Sequence, residues 1–404
     1  MTADINALYS NAASTGFSFY LPPMEGMTMP IVFEAGLPDP TTFPVEDLAR
    51  LTEKVLVRDR EFLQYGTPMD GDLSYGNAGL RQQLVERTAR IDGRSVERNG
   101  VLLTGGGVQG ISLCAQAFLD PGDVAAVECP TWEFILRDIT LAGAEAIAIP
   151  IDEDGLRVDV LESEIRRLGS EGKNLKLVYT IATFNVPTAV CLSVERRKRL
   201  VELAAEHNFI IIEDNVYGDL RYEGEALPTL FSLDEAGLVL KIDSFSKTLN
   251  PALRLGWVTG DSLAISALDR VRRDLGVGQL VARVIGEFVG EGLFEPHIKH
   301  VNDLYRTKRD ACLEALEEHC TGLMTWNRPA GGYFLWLELA DDVDGRSVQS
   351  KAMAEGVMCR PGERFFGQTK DGGQFVRLAF STVPVEDLRR AIEVLGRVTA
   401  DSRG

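Results

Sequence analysis

The sequence is short of several things, and each shortage removes a class of function. Histidine occurs four times (His207, His297, His300, His319), always in charged helical surroundings, so neither a histidine-based triad nor a histidine-rich metal site is expected. The six cysteines (Cys114, Cys129, Cys191, Cys312, Cys320, Cys359) are scattered, with no C-x-x-C spacing and no histidine at metal-ligand distance. Small core fillers in a reducing compartment fit that pattern. No apolar run reaches the length of a membrane span. The opening MTADINALYSNAASTGF lacks a basic stretch followed by an apolar one, so a cytoplasmic location is expected rather than secretion. Positive charge is scarce as well: 42 Lys and Arg stand against 60 Asp and Glu, a formal net charge of −18. A nucleic acid or an anionic membrane needs a basic face, and neither is an expected partner.

What is present is an ordinary globular composition, 45% apolar and 25% charged, over 404 residues. That length normally divides into two domains. The first 50 residues are rich in Pro and Gly and are expected to form an arm and part of a small domain. From about residue 80, helical patterns alternate with short apolar runs: LRQQLVERTARI, GVLLTGGG, VQGISLCAQAFL, VAAVECP, EFILRDITLAG, EAIAIPI. KLVYTIA, FIIIEDN and LVLKIDSFS continue the series. Strands with few polar residues, separated by helices, indicate a parallel sheet covered on both faces. The fold class is therefore α/β, with a three-layer large domain over 51–291. After a long helical stretch come GGYFLWLEL, GVMCRPGERFF and FVRLAFS, then a last helix. This change of pattern predicts a smaller α+β domain over 292–404.

In open parallel sheets, ligands sit at the carboxyl ends of strands. Three such ends carry chemistry. Lys247 follows the strand LVLKIDS in a Ser-rich turn with Ser244 and Ser246, and Arg254 lies seven residues on. A lysine there is most often solvated, but burial beside other cations would lower its pKa and make it a nucleophile toward a carbonyl. Asp214 ends FIIIED, with Tyr217 three residues later. A carboxylate at a buried strand end needs a cation or serves as a turn cap. Gly105, Gly106 and Gly107 join a strand to a helix, where backbone N–H groups could receive a phosphate. A tight turn is the plainer reading of the triple glycine.

Taken together, these elements follow one another in the order needed to hold a pyridine aldehyde phosphate. The chain resembles the fold-type I pyridoxal-phosphate enzymes, class I/II aminotransferases, in the subgroup of 2-aminoadipate and aromatic aminotransferases and the effector domains of MocR-type regulators. IVFEAGLPDPTTFPVEDL, FLDPGDVAAVECPTWEF, LSVERRKRL, SFSKTLNPALRLGW, PAGGYFLWLEL and FVRLAFS carry the likeness, the fourth most specifically. The resemblance implies pyridoxal 5'-phosphate as cofactor, joined to Lys247 as a Schiff base. Lys247 then moves the proton at the substrate Cα. Asp214 would pair with the ring nitrogen, Tyr217 with the phenolic O3′, and Trp132 with the ring face. Gly106, Gly107, Val108, Ser244, Ser246 and Arg254 would take the phosphate. Arg377 would grip the α-carboxylate, with Gly36, Asn185 and Tyr20 beside the substrate. Phe33, Glu34, Leu37 and Arg364 fall in segments that line the side-chain pocket of the family. An amino acid is the implied substrate and a second copy of the chain the implied partner. A tyrosine from that copy, Tyr65 in preference to Tyr75, would reach the phosphate.

Three departures accompany the likeness. GGGV offers the phosphate no hydroxyl. The tyrosine segment has unusual spacing. In TFNVPTAV, aligned without gaps, Val186 stands where the family keeps an asparagine for O3′. If Val186 faces the ring, a charge-assisted hydrogen bond of roughly 1.5–3 kcal/mol is lost and the imine pKa should rise; a one-residue slip would let Asn185 serve instead. An amino-acid aminotransferase is the first function expected. A diverted reaction of the same cofactor (elimination, replacement, cyclisation, decarboxylation or oxidation) is the alternative, and a cofactor-binding sensor without turnover a remote one.

Overall fold

The computed structural model describes residues 5–10, 13, 31–58, 65, 73–367 and 371–403. A two-residue strand, β1 (Ile31–Val32), precedes a sheet of eight strands. These are β2 (Val101–Thr104), β3 (Val124–Cys129), β4 (Glu145–Asp152), β5 (Gly155–Leu156), β6 (Leu175–Thr180), β7 (Ile210–Asp214), β8 (Val239–Ser244) and β9 (Gly256–Thr259). Their spatial order is β2-β9-β8-β7-β6-β3-β4-β5. The run from β8 to β4 is parallel, as expected from strands that are apolar on both sides. Alternate residues confirm the two covered faces. Ala125, Val127, Leu177, Ile212 and Ile242 enter one core cluster, while Val124, Ala126, Val178, Ile211 and Val239 enter another.

The expectation of a parallel sheet needs correction at two strands, of which the two-residue β5 pairs antiparallel with β4 at one edge. β9 runs antiparallel to both β8 and β2. Its four residues lie within and just after the SFSKTLNPALRLGW stretch, too short and too close to β8 for a helical crossover. β9 therefore folds straight back beside β8, and this return brings Arg254 to the same edge as Lys247.

A second sheet has four strands, β10 (Met324–Trp326), β11 (Phe334–Leu339), β13 (Arg360–Pro361) and β14 (Phe375–Ala379), in the order β10-β11-β14-β13. Between β11 and β13 lies β12 (Val357–Met358), which pairs with β1. The segment from β1 onward is pinned to this part of the molecule. Phe33 bonds Met358 and Ala379 through its backbone at 2.8 Å each. The Ser381 hydroxyl donates to the Leu37 carbonyl at 2.6 Å, and the buried Lys308 amine donates to the Asp39 carboxylate and, at 2.6 Å, to the Ser381 carbonyl. Glu34 to Leu37 are thereby held over the carboxyl ends of the large sheet. None of the six cysteines forms a disulfide. Among the described residues no helix is long and apolar enough to cross a membrane.

Candidate active site

A cavity of about 320 Å³ opens at the carboxyl ends of β2, β3, β6, β7 and β8, closed on its other side by Glu34–Leu37 and the small sheet. Lys247 sits in a short helical turn, Phe245–Thr248, that begins where β8 ends. Its Nζ donates to the Gly36 carbonyl at 2.5 Å and lies 5.6 Å from the centre of the Tyr217 ring. Burial is the main cause that lowers its pKa, to about 8; Asp214 opposes the shift, and Arg377 and Arg254 add to it. A fraction of the amine is thus neutral, and nucleophilic, near neutral pH.

Asp214 is buried at the end of β7. Tyr179 Oη donates to its Oδ2 at 2.7 Å, and the Val216 N–H to its Oδ1 at 3.3 Å. Burial raises its pKa to about 6, against the pull of these donors and of Lys247. A carboxylate desolvated to this degree gains most from a cationic partner. Tyr217, raised by its burial, keeps its phenolic proton and borders the cavity.

Across the cavity lies the glycine turn. Gly106 has φ 90°, a left-handed conformation that L side chains rarely adopt, and an added Cβ would meet the Arg254 guanidinium at 3.0 Å. The Gly105 carbonyl accepts from Arg254 Nη2 at 2.7 Å, and its N–H donates to Gln109 Oε1 at 2.6 Å. The helix Gly107–Phe118 starts here with no side-chain cap. Its free N–H groups, with the helix dipole, make an anion site. Among the described residues, Ser246 Oγ and Arg377 Nε are buried without a hydrogen-bond partner, and both residues line the cavity. An uncapped helix start, an orphaned hydroxyl and Arg254 on one side, with a desolvated carboxylate and a free amine on the other, fit a pyridine aldehyde phosphate.

Of the residues expected in the site, Gly36, Gly107, Val108, Trp132, Asp214, Tyr217, Ser244, Ser246, Lys247, Arg254 and Arg377 all border this one cavity. Ser244 uses its hydroxyl locally, accepting from the Ser246 N–H at 3.1 Å and facing the Leu255 carbonyl at 3.3 Å. Asn185 is a correction. It is buried and turned away from the cavity: its amide donates to Glu128 Oε2 at 2.8 Å, and its oxygen accepts from Thr188 Oγ1 at 2.9 Å. Glu128, desolvated at the end of β3, also takes Thr180 Oγ1 and the Ile181 N–H. Such a carboxylate needs its full set of donors, and it holds Asn185 for that purpose. Val186 takes the place beside the cavity.

Tyr75, expected like Tyr65 to serve the site of a second copy, has the Arg81 guanidinium 5.4 Å from its ring centre and does not line this chain's own cavity. Tyr65 is 74% exposed and also outside it. Phe33 is fully buried in the core, and Arg364 is exposed on the turn Gly362–Phe365. Tyr20 lies outside the described residues. Three contributors escaped the sequence reading: Tyr179, Gln109 and Arg360. Tyr179 looks like one more apolar strand residue. Gln109 is one position past the expected phosphate residues, and Arg360 was passed over for Arg364 in the same segment.

A lysine amine and a carboxylate on adjacent strand ends, an anion cup opposite and a buried arginine above define an enzyme that works on amino acids through a pyridoxal cofactor. The chain belongs to the aminotransferase class I and II family, whose model matches residues 40–395. It is 37% identical over 368 residues to the aromatic-amino-acid aminotransferase 1 of Thermococcus litoralis, covering 90% of this chain and 87% of that one. Its fold is similar to that of the multiple substrate aminotransferase from Thermococcus profundus, with a TM-score of 0.90, 32% identity and 99% of each chain covered. It is also similar to LysN, an alpha-aminoadipate aminotransferase from Thermus thermophilus complexed with N-(5'-phosphopyridoxyl)-L-leucine, at a TM-score of 0.88, 28% identity and 99% coverage of each.

Proposed function

We propose that this protein is a pyridoxal-phosphate-dependent aminotransferase exchanging the amino group of an amino acid with a 2-oxo acid. The observation that carries the reading is the convergence of Lys247, Asp214, Arg254 and Arg377 on one cavity. When bound, the cofactor supplies an aldehyde for an amine and an electron sink for bonds at the substrate Cα. The rest is the work of the chain. Arg254, Ser246 and the N–H groups of Gly106 and Gly107 hold the phosphate. Asp214, fixed by Tyr179, keeps a proton on the ring nitrogen. Tyr217 donates toward the phenolic oxygen, and Trp132 covers a ring face. Arg377 grips the α-carboxylate with its planar fork; burial and nearby Arg360 lower its pKa, but a guanidinium stays charged. Lys247, with a pKa of about 8, would take the proton from Cα and return it in a 1,3-shift to the carbon on the far side of the amino nitrogen.

The large unit is assigned to residues 51–291, the small one to 292–404, and residues 1–50 to an arm joined to the small unit. A cytoplasmic homodimer is the expected assembly. The exposed Tyr65, at 74%, and the exposed apolar Leu37 and Val108 at the cavity rim suit a site completed by a second copy. Val186 at the cavity favours one second reading, a diverted reaction of the same cofactor. Half-reaction spectroscopy separates the two. An amino acid should convert the visible band of the bound cofactor to the amine form, and a 2-oxo acid should restore it. A long-lived new band, or product formed without amino transfer, would favour the diverted reaction.

A further inference from the structure

Two arginines reach the same cavity. Arg360 on β13 and Arg377 on β14 are direct cross-strand partners, and like charges facing each other on a sheet repel. One residue relieves the conflict. The Glu34 carbonyl accepts from Arg377 Nη2, while Oε1 of its carboxylate accepts from Arg360 Nε at 3.1 Å and Nη2 at 2.8 Å. The Glu34 and Arg360 side chains are only 29% and 24% exposed, so the pair is partly desolvated and separating it is costly. Both Arg360 bonds converge on Oε1, leaving Oε2 without a partner among the described residues.

The charges can now be assigned. Under the proposed function Arg254 answers a phosphate, Asp214 a ring cation and Arg377 an α-carboxylate. What remains for the substrate side chain is the Glu34–Arg360 pair, neutral as a whole, with one free carboxylate oxygen. The same cavity has apolar walls at Leu37, Trp132 and Phe334. A second carboxylate on the substrate would have to displace Glu34 from Arg360 and leave that acid unpaired nearby. A neutral side chain with an N–H or O–H leaves the pair intact and finds an acceptor in Oε2.

We propose that Glu34 is a specificity-determining residue: by occupying Arg360 it selects amino acids whose side chain is neutral, apolar in body and tipped with a hydrogen-bond donor, over dicarboxylic ones. The proposal rests on the aminotransferase reading. Its test compares wild type, Glu34→Gln and the double variant Glu34→Gln/Arg360→Met, each loaded with cofactor. Half-reaction kcat/KM is read for L-tyrosine and L-glutamate. Calorimetry on the same proteins reads binding of the unreactive acids hydrocinnamate and glutarate. Glu34→Gln should raise both the glutamate/tyrosine and glutarate/hydrocinnamate ratios by about tenfold or more, and Arg360→Met should cancel the gain. Ratios unchanged in Glu34→Gln, or glutarate bound more tightly than hydrocinnamate by wild type, would overturn it. If no amino acid reacts with the wild type, the aminotransferase reading fails, and the calorimetric ratios still decide the role of Glu34.

Discussion

Lys247, Asp214 and Val186 each set a quantity that can be titrated. Asp214 must be ionised to hold a protonated ring nitrogen, and burial has raised its pKa to about 6. Below that value the carboxyl is protonated and the ring cation has no partner. Cofactor affinity should therefore fall as pH drops through about 6, and Asp214→Asn should be weak at every pH without that transition. Titrating the apoprotein with pyridoxal phosphate, followed by tryptophan fluorescence, checks both statements. Lys247 has the opposite sign: its neutral form grows as pH rises through about 8, so the rate of cofactor incorporation should climb over the same range. Val186 borders the cavity while Asn185 is committed to Glu128. Val186→Asn restores a donor worth roughly 1.5–3 kcal/mol, or about one to two pH units. The pH midpoint of the bound cofactor's visible transition should fall by that much, and an unmoved midpoint would mean that residue 186 does not face the phenolic oxygen.

At the scale of elements, the site depends on how Glu34–Leu37 is fastened. Lys308, on the helix Phe294–His319, is buried against Asp39 and the Ser381 carbonyl. Asp39 also donates its N–H to Tyr305 Oη at 2.9 Å. Removing the amine leaves a buried carboxylate unpaired, so Lys308→Met should cost about 3–5 kcal/mol, read as a lower urea midpoint at unchanged slope. These fastenings also mark where the sequence stops being legible. The parallel strands are readable because doubly buried strands must be apolar throughout, and so are Lys247 and Asp214, which stand where such strands end. β9 is not readable, because four residues carry no period and its direction is set by its neighbours. Asn185 misleads for a related reason. Its pattern fits a ligand-facing loop, but its partner, Glu128, lies 57 residues earlier, and only the fold brings the two together. Arg360 and Glu34 are separated by 326 residues, beyond any local pattern.

For the whole molecule, two sheets and the segment after β1 meet over one cavity. The chemistry belongs to that junction rather than to either sheet alone. β7 and the helical turn that follows β8 supply Asp214 and Lys247, the small sheet supplies Arg360 and Arg377, and the early segment supplies Glu34 and Gly36. The central claim is that this junction transfers an amino group. It is tested most directly by supplying a ¹⁵N-labelled amino acid and an unlabelled 2-oxo acid, then following the label by mass spectrometry. The label should appear in the newly formed amino acid with wild-type protein and be absent with Lys247→Ala. Label released as ammonia, or transfer that survives Lys247→Ala, would contradict it.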